Sequence, residues 1–296
     1  MSVRTQRLLL ALVAATVPAS AAAAQAELRG SVSTFSGYLF RGLTLTSRPV
    51  LQPTATLVVP AGAFTFSLGG WANVEAGRYD RITDLSEGGG ATAMDVTEFD
   101  WTAEAAGRIG KATVAVGSIG YVFPNPLAVS PVFNSTLNTV EFYSRVSLAT
   151  PLAPSFGVYY DVSKIKGAYL EGSIGHSLPL GGGPTLALGL LAGWSAGQDA
   201  ALDAQGTPTA AFYTFQRNGL SHVDLSASVP LTVAGMGVAP AVHLVYGSDP
   251  FAKLVATNRS RDLKIWFGGT ISWAQRLTGR AGRQVVADAK EAETKP

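Results

Sequence analysis

Residues 139–148 alternate between apolar and polar side chains, and this alternation limits what the chain can fold into. The apolar positions are Val140, Phe142, Val146 and Leu148, and the positions between them are Glu141, Tyr143, Arg145 and Ser147. A β-strand directs successive side chains to opposite faces. The segment therefore predicts a strand with one apolar face and one face that carries both a carboxylate and a guanidinium.

The same period of two recurs along most of the chain, while helical periodicity is nearly absent. Twelve segments show it: residues 28–41, 50–60, 63–76, 94–106, 111–123, 137–149, 155–164, 167–178, 184–196, 219–230, 237–248 and 262–274. The connections between them alternate between short and long. The short ones are residues 60–62, 107–110, 150–154, 179–184 and 231–237. The others are residues 43–49, 77–93, 124–136, 197–218 and 249–261, with 164–166 as the one short member of this second set.

This rhythm is typical of a meander whose turns are short at one end and long at the other, as in outer-membrane barrels. In lipid, a closed sheet satisfies its backbone hydrogen bonds because it has no edge. The sequence therefore predicts an all-β fold, a transmembrane antiparallel up-and-down β-barrel of about 12 strands. A soluble β-sandwich is the alternative, although its connections would lack this rhythm.

Composition and the first residues indicate export. Charged residues make up 14% of the chain, against roughly 25% in soluble domains, and the absence of cysteine excludes disulfides. A basic start, an apolar stretch over residues 8–17 and the small residues before Glu27 predict that residues 1–26 are a cleaved signal peptide rather than a membrane anchor. Cleavage would remove Arg4 and Arg7 and leave 20 basic and 20 acidic residues, a balance that does not favour nucleic-acid binding.

The remaining chain divides into a barrel, residues 27–275, and a polar tail, residues 276–296. The tail composition predicts a disordered periplasmic extension. A contact of the tail with peptidoglycan or a protein partner is the alternative.

Charged residues on the polar faces of the strands are predicted to face the lumen, because a Lys or Arg in lipid near the midplane costs about 2–4 kcal/mol. The predicted lumen-facing charges are Arg41, Glu98, Asp100, Glu104, Glu141, Arg145, Asp161, Glu171, Asp224 and Lys264. Glu141 and Arg145 lie roughly 13 Å apart along one strand, so their partners must come from other strands. These charges either pair across strands and block a narrow barrel, or form an acid-rich lumen that passes small cations.

Aromatic residues are predicted to gather at the two bilayer interfaces. Toward the long loops these are Tyr38, Phe40, Phe99, Trp101, Phe123, Tyr160, Trp194, Tyr246 and Phe267. Toward the short turns they are Phe64, Phe66, Phe156 and Trp273.

Residues for catalysis or metal binding do not form a recognisable pattern. The histidines are His176, His222 and His243, and the first two lack a convincing third member for a catalytic triad. The acidic residues of the 77–93 loop do not match a calcium loop, and the histidines lack zinc-site spacing. We therefore expect no enzyme activity, metal or cofactor, with an outer-membrane lipid hydrolase as the less favoured reading.

Several short sequence blocks occur in a characteristic order along the chain. They are Tyr38-Leu39-Phe40-Arg41-Gly42 with Gln52-Pro53, then Gly69 to Val74, Glu98-Phe99-Asp100, Gly120 to Pro124, Val140 to Tyr143, Tyr169-Leu170-Glu171 and Leu178-Pro179-Leu180. These blocks resemble a Gram-negative outer-membrane family labelled as TorF-like porins. The resemblance covers about residues 31–275 and implies a barrel in the outer membrane. It transfers no catalytic residue. The polar tail is a departure, since many such barrels end on an aromatic residue.

These observations together predict a porin-like barrel of the cell outer membrane for passive diffusion of small polar or cationic solutes. Its predicted partners are the lipid bilayer, small solutes and the barrel-assembly machinery. A structural or surface-binding barrel with a blocked lumen is the alternative. The sequence leaves the oligomeric state and the identity of the solute open.

Overall fold

The computed structural model describes residues 26–46, 48–76, 94–124, 138–200, 203–207, 209, 213–249 and 263–277. The predicted signal peptide, the acidic 77–93 loop and all but the first two residues of the predicted tail lie outside these ranges, apart from Ala26. The strands are β1 (Glu27–Phe35), β2 (Tyr38–Phe40), β3 (Leu43–Thr46), β4 (Val50–Ala61), β5 (Phe64–Glu75), β6 (Asp95–Ile109), β7 (Ala112–Val122), β8 (Thr139–Leu148), β9 (Ser155–Asp161), β10 (Ala168–Pro179), β11 (Thr185–Ala196), β12 (Gly219–Ser228), β13 (Leu231–Val233), β14 (Met236–Gly247) and β15 (Leu263–Arg276).

Twelve of these strands form a closed antiparallel ring. The ring runs β1, β4 to β12, β14 and β15, and β15 pairs back onto β1 from Glu27 opposite Arg276 to Phe35 opposite Gly268. Short β13 continues the line of β12 beside β14. The predicted all-β, antiparallel barrel of twelve strands is therefore confirmed. Within the described ranges, no helix is long and apolar enough to cross a membrane.

Apolar side chains cover the outside of the ring. Phe142 on β8 is 44% exposed, whereas its neighbour Glu141 is 2% exposed. Ile265 and Phe267 on β15 are 68% and 63% exposed. The alternation that the sequence shows is thus the alternation between the outside of the barrel and its lumen.

The prediction of one continuous strand over residues 28–41 is wrong for its second half. The wall strand β1 ends at Phe35, and the chain then bends at residues 36–37 into a separate hairpin, β2–β3. Arg41 and Gly42 form its two-residue turn with φ angles of 51° and 83°, the left-handed pair that a type I′ turn requires. Residues 38–46 are called the lumenal hairpin below.

Tyr38 and Phe40 consequently do not form part of an aromatic belt. Tyr38 is only 9% exposed, and its ring lies 5.5 Å from the ring of Trp71 on β5. Phe40 packs edge-on against Tyr121 on β7 at 5.9 Å. The two residues alternate correctly for a wall strand, but the bend at residues 36–37 carries them inward. Other predicted belt residues, such as Tyr160 and Trp194, are exposed on the outer face.

Candidate functional site: the hairpin inside the barrel

The lumenal hairpin contacts wall strands on all sides of the ring. Besides β5 and β7, its tip reaches Glu141 on β8 and Tyr169 on β10. On the other side, Lys264 on β15 donates a hydrogen bond from Nζ to the Gly42 carbonyl at 3.2 Å. A segment that touches strands so far apart in the ring lies inside it. Because these contacts fall near the strand ends that lead into the long connections, the hairpin fills that end of the lumen.

Arg41 at the hairpin tip forms a two-point ion pair with Glu141. Its two terminal nitrogens donate to the two carboxylate oxygens at 2.8 and 2.6 Å. The side chains are 9% and 3% exposed. Glu141 also accepts a hydrogen bond from the Tyr121 hydroxyl at 3.0 Å. Paired bonds of this type combine charge with a fixed planar geometry, which makes this the most specific polar contact of the hairpin.

Aromatic rings enclose the same guanidinium. Its central carbon lies 4.2 Å from the ring centre of Tyr169, 5.3 Å from that of Tyr159 and 4.8 Å from that of Phe40 on the hairpin itself. Arginine over an aromatic face gains cation–π attraction, which increases when water is excluded. The wall residues Glu141, Tyr159 and Tyr169 are called the arginine cage below.

The opposite side of the turn leaves no room for a side chain. A Cβ at Gly42 would lie 2.3 Å from Cβ of His222 on β12. His222 stacks on Tyr169 at 6.3 Å, and Tyr169 in turn stacks on Phe215 from the 197–218 connection. Glycine at position 42 is thus required by both its positive φ and this close approach. The turn is held between the cage and β12.

Beneath the start of the hairpin, an amide network joins β4, β5 and β6. Gln52 donates to Asn73 at 3.0 Å, and Asn73 donates to Glu75 at 3.2 Å and to Thr97 at 2.9 Å. Asn73 is fully buried and Glu75 is 5% exposed. Such a connected set of partners satisfies polar groups that burial would otherwise penalise. It makes this part of the wall a polar but dry surface.

The ten charges predicted from the sequence occupy several different environments. Arg41 and Glu141 form the pair just described, and Glu98 is 3% exposed near Tyr38. Asp100 is partly buried beside Tyr121, its partner in the β6–β7 register. Lys264 bonds the hairpin turn. Arg41 thus belongs to the lumenal hairpin itself, and the other four residues lie on the wall around it.

The other charges lie elsewhere. Arg145 pairs with Glu104 two strands away, across Gly117, where a Cβ would come within 2.5 Å of Tyr143. Glu171 accepts from Tyr159, and Asp224 pairs with His243 at 3.0 Å.

Asp161 accepts hydrogen bonds from the connection between β9 and β10. It is fully buried, and its Oδ1 accepts backbone N–H bonds from residues 163–165 at 2.8 to 3.0 Å. Its other oxygen accepts from the Thr139 hydroxyl. The carboxylate therefore organises the connection between β9 and β10.

Toward the short turns, the inward positions carry mostly small side chains. Examples are Ser31, Thr56, Ser155, Ser173, Gly175, Gly189, Ser226, Thr270 and Ser272. Hydroxyls there bond one another, as Ser155 does Ser173 at 2.7 Å. A cavity of about 270 Å³ lies along β10, β11, β12 and β14, lined by Ser173, Ile174, Gly189, Leu190, Leu191, Asp224, Ser226 and His243.

Sequence reasoning missed the aromatic part of the site. Tyr159 and Tyr169 lie on the polar faces of their strands, a position that is visible in the alternation. Both tyrosines lie within two residues of a strand end on the same side of the barrel, and this shared position is the signal that would have placed them in one site. Phe215 gives no such signal, because it lies in an irregular connection and is fully buried only through tertiary packing.

The molecule is thus a closed twelve-stranded β-barrel with an apolar outer face and a hairpin folded into its lumen. The chain belongs to the Gcw_chp family, described as a bacterial protein of unknown function, whose model matches residues 19–188. No curated protein has a significantly similar sequence.

Several solved outer-membrane proteins have a similar arrangement of strands. An outer-membrane channel from Pseudomonas putida F1 shares 12% identity at a TM-score of 0.43, covering 85% of this chain and 96% of its own. LpxR from Salmonella typhimurium shares 10% identity at 0.46, with 83% and 99% covered. Outer membrane phospholipase A from Escherichia coli shares 10% identity at 0.38, with 84% and 92% covered.

Proposed function

We propose that this protein is an outer-membrane channel for passive diffusion of small polar or cationic solutes, in which the lumenal hairpin is the constriction. In this proposal residues 1–26 direct export, the barrel-assembly machinery inserts the ring into the bilayer, and residues 276–296 extend into the periplasm. The chain has no catalytic role in it. The resemblance of the sequence blocks to TorF-like porins supports the same function.

The position of the hairpin is the observation that carries the proposal. An apolar outer face suits lipid, and a closed wall needs no filling of its own to satisfy its backbone. The lumen nevertheless divides into a narrow end, built from charged and aromatic side chains, and an end lined by small side chains. A short constriction above a wider polar vestibule is how a diffusion channel combines selection with flow.

Conductance of the refolded protein in planar bilayers tests the proposal. The native chain should give small, discrete current steps. A variant with residues 37–47 replaced by a short Gly-Ser linker should give steps several times larger, because the constriction is removed. Replacing Gly183 with Ser, in the short turn at the opposite end, is the matched control and should leave the steps unchanged.

A sealed barrel is the second candidate, and the tight packing of Arg41, Tyr169 and Phe215 favours it. In that case the native chain passes no current, and only the linker variant conducts. If neither chain conducts although both insert, the proposed channel function is wrong. For a conducting chain, the joint replacement of Glu98, Asp100 and Glu104 by Gln should reduce cation preference, measured as the reversal potential in a salt gradient.

A further inference from the structure

The arginine cage has the composition of a ligand site, although a residue of the chain itself fills it. Glu141 presents both carboxylate oxygens in one plane, and Tyr169 lies 4.2 Å from the guanidinium carbon. A planar carboxylate with aromatic faces beside it is the arrangement that recognises guanidinium rather than ammonium, because it uses the fork of donors and the flat cation together.

Arg41, the residue that fills the cage, has an unusual backbone conformation. Arg41 has a φ of 51°, a region that Asn, Asp and Gly enter far more readily than a long side chain. The first position of a type I′ turn therefore favours other residues on local grounds. The cage contacts compensate for this cost, and they do so from the wall of the lumen rather than from within the hairpin.

We infer that the arginine cage is a guanidinium subsite on the solute path, for which Arg41 serves as an internal, displaceable ligand. The inference rests on the proposed channel function and deepens it by naming the solute class: small organic cations that carry a guanidinium group. When the hairpin tip moves away from the wall, the guanidinium group of the solute takes over the two hydrogen bonds that Arg41 donates to Glu141. No charge is left unpaired on Glu141 during the exchange.

The cage belongs to the wall, so it persists when the Arg41 side chain is removed. Glu141 retains its bond from Tyr121, and Tyr159 bonds Glu171 at 2.9 Å. An emptied cage should therefore accept a free guanidinium ion. A ligand of so few atoms is expected to bind with a dissociation constant on the order of millimolar.

Chemical rescue tests the subsite in the whole, refolded chain. Arg41→Ala should lower the midpoint of urea unfolding in lipid vesicles, and millimolar ethylguanidinium should restore part of that loss, while equal ethylammonium should not. Arg145→Ala is the matched control, because Arg145 also pairs with a carboxylate, Glu104, yet is 47% exposed. Ethylguanidinium should not rescue it. Equal effects of the two cations on Arg41→Ala, or equal rescue of both variants, would overturn the subsite.

Solute flux tests its role on the path. In proteoliposome swelling, the native chain should admit L-arginine faster than L-lysine, which carries the same charge without the planar fork. Glu141→Gln should bring the two rates together. Equal rates through the native chain would overturn the inference and leave the channel function standing. If no solute enters through either the native chain or the linker variant, the proposed channel function itself fails, whereas the rescue experiment still reports on the cage.

Discussion

The two ends of the lumen use the same strands but different side chains. Near the long connections, inward positions carry Glu141, Tyr169 and His222, and the lumenal hairpin fills the space between them. Near the short turns, inward positions carry residues such as Ser173 and Gly175. An ion pair in the first region is nearly dry, whereas the Arg145–Glu104 pair, about midway, is 47% and 19% exposed.

The barrel wall by itself does not require a packed lumen. It is held by the ladder of hydrogen bonds on every strand, so small side chains suffice at inward positions that the lumenal hairpin does not reach. The fully buried rings of Tyr169 and Phe215 and the driest described ion pair, Arg41–Glu141, lie where a second element is held against the wall. Substitutions of matched chemistry should therefore have larger effects around the hairpin than away from it.

The largest contrast is expected between the two carboxylates. Glu141→Ala leaves the buried guanidinium of Arg41 without its partner and should lower the free energy of unfolding by about 3–5 kcal/mol. Glu104→Ala breaks the more exposed pair and should cost about 0–1 kcal/mol. Urea unfolding in lipid vesicles, followed by tryptophan fluorescence, measures both. Equal losses would show that the two ion pairs are equally hydrated and would contradict the assignment of a dry end to the lumen.

A smaller contrast is expected for two tyrosine hydroxyls. Tyr121 donates to Glu141 at 3.0 Å, and Tyr143 donates to Glu104 at 2.8 Å. Tyr121→Phe removes a bond to a charged group that water does not reach, and should cost about 1.5–3 kcal/mol. Tyr143→Phe should cost less than about 1 kcal/mol, because water can replace the hydroxyl at the partly exposed carboxylate. The same unfolding assay compares them, and the reverse order would contradict the assignment of the dry end.

The smallest contrast concerns two glycines on neighbouring wall strands, Gly193 on β11 and Gly175 on β10. A Cβ at Gly193 would lie 2.4 Å from the Tyr169 hydroxyl and 2.6 Å from His222, whereas at Gly175 the nearest atom would be 3.5 Å away. Gly193→Ala should therefore cost about 1–3 kcal/mol through overpacking. Gly175→Ala should remain within about 0.5 kcal/mol of the native value. A Gly193→Ala chain as stable as the native one would indicate that the cage is loosely packed.

Much of the wall follows from local sequence. The alternation at residues 139–148 predicts which side chains lie on each face of that strand. The predicted strand at 184–196 differs from β11 by one residue at its start. Arg41, in contrast, is predicted at the end of a wall strand over residues 28–41, whereas the bend at residues 36–37 takes it to partners such as Glu141 that lie far away in the sequence. The pairing of Arg145 with Glu104 could not be derived either, since it reaches across an intervening strand at a glycine.

The sequence by itself determined the number of wall strands, about twelve, and which faces of those strands are polar or apolar. This is possible because the alternation of side chains between two faces is a local property of the sequence. A shift of the strand register by one residue would turn each charged face toward the outside. Only the tertiary structure decided that residues 38–46 leave the wall and enter the lumen. The place of the hairpin depends on the Glu141 carboxylate and the tyrosines that meet Arg41 from distant parts of the chain.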